Sequence, residues 1–396
     1  MPETDRARIA RDAAEGLRRF TGRLHDNGVL IGLDGFVDSI ITVVDTREDT
    51  EQFTPVPNIE RFGRKILAAA GQSSNIELVV DYQKLGGNGP IMANCMATTG
   101  LPVTYIGALG YPDIHPVFEQ FAQQARCFSL AAPGQTDALE FEDGKVMLGK
   151  LQTLRDVNWS RLLQVVGLNT LSEIIGRSRL IGMTNWTMLT EMNGIWEGLI
   201  EQVLPKLPQP PGGRRVLFVD LADPRKRSAK DIAAAMELLK RFETQLDVVL
   251  GLNLSESGQI AAVAGLEVPD SEADAIEAIE PTARAIRQWL DITGVVVHPR
   301  QGAAAAMRPG EGGDARSARF EGPFVRSPRL STGAGDNFNA GFCLGLMADL
   351  PLEQALCVGT ATSGFYVREA RSATLSELAT FCAELPEPEA AGSHGG

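Results

Sequence analysis

The sequence predicts an α/β fold: a mostly parallel central sheet covered by helices on both faces, with a small β lid beside it. Three observations predict it. From about residue 160 onward, short apolar runs alternate with stretches of helical periodicity, the pattern of successive βα units. The apolar runs are nearly continuous rather than alternating with polar residues, as expected of strands buried on both faces. Two segments, about 40–60 and 137–151, break the pattern with polar, turn-rich sequence and read as a flap outside the main sheet.

The elements follow in chain order. "MPETDRARIARDAAEGLRRF" reads as a charged helix within residues 1–27. It lacks the apolar stretch of a signal peptide. "VLIGLDGFVDSI" (29–40) reads as a buried strand ending in a polar turn, and the chain then makes an excursion to about Phe62. "FGRKILAAAG" is helical by pattern, "GLPVTYIGALG" (100–110) is a second buried strand, and 113–126 reads as a helix. "DALEFEDGKVMLGKL" (137–151) is a hairpin with Asp143-Gly144 at its tip. Strands are expected at 179–185, 215–223, 246–253 and 294–299, separated by helices at 188–204, 229–243 and 273–290. Short strands joined by "PGEGGDA" occupy 303–329, and helices near 335–348 and 352–368 close the domain. The main domain thus spans 28–385, and 386–396 is a Pro/Gly-rich tail expected to be disordered.

Composition excludes several classes. A net charge of −13 argues against non-specific nucleic-acid binding, which needs a basic face. An anionic substrate is not excluded, because a metal ion and exposed backbone amides can override the global sign. The five cysteines are scattered without a CxxC, and read as buried thiols of a reducing compartment. The four histidines have no zinc spacing. No run reaches the roughly 18 apolar residues of a membrane span. A cytoplasmic protein with no membrane partner is expected.

The chemistry concentrates at the carboxyl ends of the expected strands, where ligands bind in open α/β sheets. "STGAGDNFNAGF" (331–342) places small residues and an acid where a helix begins. The unpaired N–H groups of such an end attract anions. Asp336 has two readings there. It complements the helix end, or it takes a proton from an attacking hydroxyl while neighbouring amides hold a phosphoryl group. No Walker P-loop is present, and the third glycine of a dinucleotide fingerprint is missing. In "GLNLSE", Asn253 and Glu256 stand three apart after a strand: an ordinary helix start, or a pair that holds the waters of a Mg²⁺ ion. In "GLDGFVD", Asp34 and Asp38 flank a turn, as turn formers or as acceptors for sugar hydroxyls. "KLGGNGP" (84–90) brings backbone and the Asn88 amide close to a ligand, or is a plain turn.

Together these segments resemble the PfkB carbohydrate kinases, the ribokinase-like family, over about residues 28–370. "STGAGDNFNAGF" is similar to that family's C-terminal signature, "GLNLSE" to its N-x-x-E motif, and "KLGGNGP" to its N-terminal glycine motif. "GLDGFVD", "VDLADPRKR" and "VVVHPRQGAAAA" also sit where family segments belong. The resemblance implies a ribokinase-like three-layer α/β/α sandwich with a small β lid at 40–60 and 137–151. It implies ATP and Mg²⁺ as cofactors, a small sugar as acceptor, and a homodimer through the lid. Asp336 would be the catalytic base, with Gly333, Ala334 and Gly335 as the anion hole. Asp34, Asp38, Gly87 and Asn88 would bind the acceptor. Asn253 and Glu256 would order Mg²⁺ through water, and Gly302 would line the nucleotide site.

The sequence departs from the family pattern at Leu330, where many members have an Asp serving a monovalent cation, and at Pro90, Ile91 and Pro299. "QKLGGNGPIMAN" is also similar to the archaeal ADP-dependent sugar kinases, which makes ADP a second candidate donor. Two other functions remain open at this level: a nucleoside kinase on the same scaffold, and a catalytically idle sugar-binding regulatory protein.

Overall fold

The computed structural model describes residues 4–208, 213–267, 276–308 and 316–390. Asp5–Phe20 forms α1, whose N-terminus is capped by the Thr4 side chain. β1 (Gly28–Leu33) enters the main sheet. At Asp34-Gly35 the chain turns out of it, and β2 (Phe36–Arg47), β3 (Phe53–Pro55), α2 (Ile59–Ala68) and β4 (Leu78–Gly86) build the first part of the lid. α3 (Asn88–Thr98), β5 (Val103–Gly107), the one-turn α4 (Glu119–Ala122) and β6 (Arg126–Ser129) return to the main body. β7 (Gly134–Phe141) and β8 (Gly144–Lys150) complete the lid.

After α5 (Trp159–Val165) and α6 (Leu168–Arg177) the βα alternation is regular. β9 (Ser178–Met183) leads to α7 (Met192–Gly198), and β10 (Val216–Asp220) to α8 (Ala229–Glu243). β11 (Asp247–Leu252) leads to α9 (Leu254–Ala264) and α10 (Ile276–Leu290), then β12 (Gly294–Val297). β13 (Gly302–Met307) and β14 (Arg316–Glu321) precede α11 (Ala334–Met347), α12 (Leu352–Glu369) and α13 (Leu375–Ala383).

The main sheet has nine strands in the order β14-β13-β12-β11-β10-β9-β1-β5-β6. All pairs from β6 to β12 are parallel, and β12-β13-β14 are antiparallel. The order reverses at β1: the chain runs outward to β5 and β6, then resumes on the other side at β9. Such a switch point opens a crevice beyond the carboxyl ends of the strands. Side-chain alternation feeds two cores. Leu217 and Val219 join one with α6, α8 and α10, while Phe218 joins the other with α1, α3, α11 and α12. This is the expected three-layer arrangement. Trp186 and Trp196 are fully buried, as core side chains. All five cysteines are free, and four are buried. No helix among the described residues is long and apolar enough to cross a membrane.

Several expected boundaries shift. The apolar run 29–40 is two strands in two sheets, because a buried strand of the lid reads like one of the main sheet. The lid is larger than 40–60 and 137–151. β2 pairs with β4, β7 and β3, and β4 lies outside the two segments read as a flap. The expected helix at 113–126 shrinks to Pro116–Phe118 and α4, since Arg126 already begins an edge strand paired with β5. The first helix is not an appendage: Ala10, Ala13, Leu17 and Phe20 are buried in the second core. Of the expected tail, residues up to Ala390 are anchored, with the Glu389 N–H donating to the Phe324 carbonyl at 3.1 Å. The segments 268–275, 309–315 and 391–396 lie outside the described residues.

Candidate active site

Most of the residues singled out in the sequence converge on the switch-point crevice. α11 begins there, with Gly333 as its N-cap in the left-handed region (φ 92°). A Cβ at that position would meet the Tyr366 hydroxyl at 3.0 Å and Ile91 at 3.2 Å. Asp336 lies in the first turn and is 7% exposed. It does not cap its own helix. Its Oδ1 instead accepts from Asn88 Nδ2 at 2.8 Å. Burial pushes the Asp336 carboxyl well above the ordinary range, and the nearby Asp220 adds to the rise.

Of the amides expected to form the anion hole, one is engaged within the protein. The Ala334 N–H is turned back to the Ser331 carbonyl (3.2 Å). The N–H groups of Gly333, Gly335 and Asp336 have no acceptor among the described residues, as the start of a helix leaves them. These amides point the positive end of α11 into the crevice.

Asp34 follows β1 and is completely buried. Its oxygens are already engaged. Oδ2 accepts from the Asn88 N–H (3.0 Å) and from Asn185 Nδ2 (2.7 Å), and Oδ1 accepts from the Gly89 N–H (2.8 Å). α3 has no side-chain cap of its own at Gly87, and Asp34 supplies one from a distant strand. Burial raises its pKa to about 6, against the opposing pull of these donors. The geometry therefore commits Asp34 to holding the "GGNG" turn.

Asp38 is different. It sits on β2 in register with Lys84 and Thr136. Burial raises its pKa, opposed first by Lys84. A Cβ on Gly86 would come within 2.4 Å of its carboxylate, so that strand position must stay bare.

Asn253 and Glu256 form a reciprocal capping box on α9. Asn253 Oδ1 accepts from the Glu256 N–H (2.9 Å), and Glu256 Oε2 from the Asn253 N–H (2.8 Å). Glu256 Oε1 also accepts from the Asp223 N–H at 2.8 Å. No three His, Cys, Asp or Glu side chains among the described residues are grouped to hold a metal directly. The oxygens of the pair keep free lone pairs, so the donor set fits a cation held through water and not one ligated outright.

Gly302 and Asn253 line a cavity of about 610 Å³ together with His298, Ala334, Gly335 and Thr360. That is the volume of a typical small-ligand site. His298 stacks on Phe338 at 4.5 Å, and burial lowers its pKa to about 4, so it is neutral and part of the wall. In the basic run at 224–227, Arg225 and Lys226 are exposed, with Arg225 paired to Asp223 at 2.9 Å, while Arg227 packs over the Trp186 ring at 4.4 Å.

Asn185, Asn339 and Lys145 escaped the sequence reading as site candidates, while Asp220 reads there only as a strand-end acid that could lie near the metal. Asn185, at positive φ after β9, anchors Asp34. Asp220 ends β10 and accepts from Asn339 Nδ2 at 2.7 Å. Its pKa is raised by burial and by Glu256, which builds an acidic floor under Asp336. Lys145, on the lid strand β8, donates to Thr332 Oγ1 at 3.2 Å and so ties the lid to the loop before α11. The signals existed for Asp220 and Asn339, as polar residues in apolar runs. Nothing local marks Lys145.

The chain matches a family model described as prokaryotic ketohexokinase over residues 5–385. A ketohexokinase from Haloferax volcanii is 31% identical over 372 residues, covering 93% of this chain and 94% of that protein. Among solved structures, a phosphofructokinase-2 mutant from Escherichia coli superposes with a TM-score of 0.59 at 15% identity, covering 90% of this chain and 98% of the other. Ribokinase from Arabidopsis thaliana, complexed with ribose and ATP, gives 0.58 at 15% identity, with 91% and 99% covered. At such identities the structural matches speak to the ribokinase-like fold alone.

Proposed function

The chain belongs to the prokaryotic ketohexokinase family, and from that premise we propose that it transfers the γ-phosphoryl group of ATP to a hydroxyl of a ketohexose. It is a sugar kinase, a phosphotransferase with an alcohol acceptor. The family match disfavours the nucleoside kinase and idle-regulator readings. The observation that carries the mechanism is the pairing of Asp336 with Asn88 (2.8 Å) at the start of α11, beside unpaired amides.

In this reading Asp336 is the base. A buried carboxylate with raised proton affinity draws the proton from the attacking hydroxyl as the oxygen–phosphorus bond forms. The Gly335 and Asp336 amides meet the charge on the transferred group, where water is excluded. Asp38 faces the acceptor from the lid, and Asn88 orients Asp336. Asp34 and Gly87 act one step back, by fixing the turn that carries Asn88. The nucleotide fills the cavity lined by Gly302, Asn253 and Gly335. A Mg²⁺ ion entering with it would offset phosphate charge, and Asn253 and Glu256 would hold its water.

The lid exposes Leu78, Val80 and Tyr82 on β4 and Met147 and Leu148 on β8. An apolar surface of this kind supports a homodimer through the lid.

The experiment is turnover of ATP with ketohexoses and aldohexoses, wild type beside Asp336→Asn. Turnover selective for a ketohexose is expected, falling about 10²–10⁴-fold in the variant while ATP binding persists. Retained activity in Asp336→Asn would remove it as the base. Preference for an aldohexose, or for ADP over ATP, would overturn the substrate assignment.

A further inference from the structure

A second cavity lies away from the one at α11. It has a volume of about 720 Å³ and lies at the opposite edge of the sheet, around the amino ends of β1, β5, β6 and β9. None of the residues discussed so far as active-site candidates lines it.

Six arginines do: Arg23, Arg126, Arg177, Arg179, Arg214 and Arg215. The acids in the same lining are Asp26 and Glu173. The partners of each arginine decide how much charge remains. Arg23 and Arg179 share one carboxylate, that of Asp349. Arg214 pairs with Asp247 at 3.1 Å. Arg215 is 5% exposed and has only backbone acceptors: Ile175 (3.1 Å), Pro208 (3.1 Å) and Gly176 (2.9 Å). It closes the carboxyl end of α6, yet its charge meets no carboxylate among the described residues. Arg126 lies over the Phe128 ring at 4.8 Å. Arg177 has no hydrogen-bond or ionic partner among the described residues, and both Arg126 and Arg177 are exposed at the rim.

Excess positive charge in a concave site is unexpected in a chain of net charge −13. A cleft lined by one sign focuses the field and concentrates ions of the other. Guanidinium forks match phosphate oxygens two at a time. The site is concave and of ligand size, which disfavours a flat protein partner.

We propose that this cavity is a second ligand site, for a small anion bearing phosphate groups, separate from the site of phosphoryl transfer. Arg126 and Arg177 provide the free forks, and Arg215 the fixed charge behind them. The proposal rests on this cavity alone and not on the kinase reading.

The test is calorimetric titration of the full chain with inorganic pyrophosphate, in the presence of a saturating non-hydrolysable ATP analogue. One equivalent should bind. The double variant Arg126→Glu/Arg177→Glu should bind about tenfold more weakly or worse, with unchanged Tm and unchanged turnover. Both side chains lie on the surface, so the variant leaves no buried partner unpaired. Citrate should bind less well than pyrophosphate. The proposal is overturned by absence of binding, by equal affinity in the double variant, or by citrate matching pyrophosphate. The arginine variant locates the site, so the result stays readable even if the kinase reading fails.

Discussion

At the scale of single residues, three side chains form one chain of hydrogen bonds: Asp34 to the Asn88 backbone, then the Asn88 amide to Asp336. The pairing makes a pH prediction. Asp336 is raised by burial first, and the Asn88 bond is what lowers it. The base works only as the carboxylate, so kcat/KM should fall as pH drops through its raised pKa. Asn88→Ala removes the lowering contact and should move that acid limb to higher pH. Coincident limbs for wild type and variant would remove Asn88 from this role. Asp336 and Asn88 were both legible in the sequence, because each stands in a glycine-rich turn before a helix. The engagement of Asp34 was not. A carboxylate after a strand looks the same whether it faces a sugar or caps a distant helix, and only the fold brings α3 to it.

At the scale of elements, α9 and α11 begin in different ways. α9 carries its own capping box, and Asn253→Ala should therefore destabilise the protein by about 1 kcal/mol in urea denaturation, whatever its part in catalysis. A raised Mg²⁺ requirement alongside that loss supports the metal assignment. The stability loss with an unchanged Mg²⁺ titration reduces the residue to a cap. α11 instead starts from Gly333 with no side-chain cap, which leaves its amides for a ligand. Gly333→Ala places a Cβ at positive φ and against the Tyr366 hydroxyl, at a cost of about 1–2 kcal/mol from the backbone alone. Reduced turnover with a lowered Tm is expected, and an unaffected enzyme would show that the turn tolerates a side chain. Both helix starts were visible as motifs. The lid's extent was not: β4 lies outside the two segments read as a flap, and its apolar side chains Leu78, Val80 and Tyr82 face solvent rather than a core.

At the scale of the whole molecule, the regular βα half was readable from periodicity, while the first 150 residues move between two sheets and were read only in part. The exposed apolar residues of β4 and β8 lead to a test of assembly. Val80→Lys with Met147→Lys should convert a dimer to a monomer in sedimentation, and a wild-type chain that is already monomeric would discard the lid interface. One other contact reaches across the entire chain. The apolar stripe of α1 is buried against α13 and α12, and Arg6 donates to the Pro386 carbonyl at 2.7 Å. During synthesis α1 leaves the ribosome long before α13 exists, so Ala13, Leu17 and Phe20 must wait for their cover until α12 and α13 have been made. The nascent chain therefore carries a sticky helix while all the intervening elements are made, and a ribosome stalled before residue 375 would present it to chaperones.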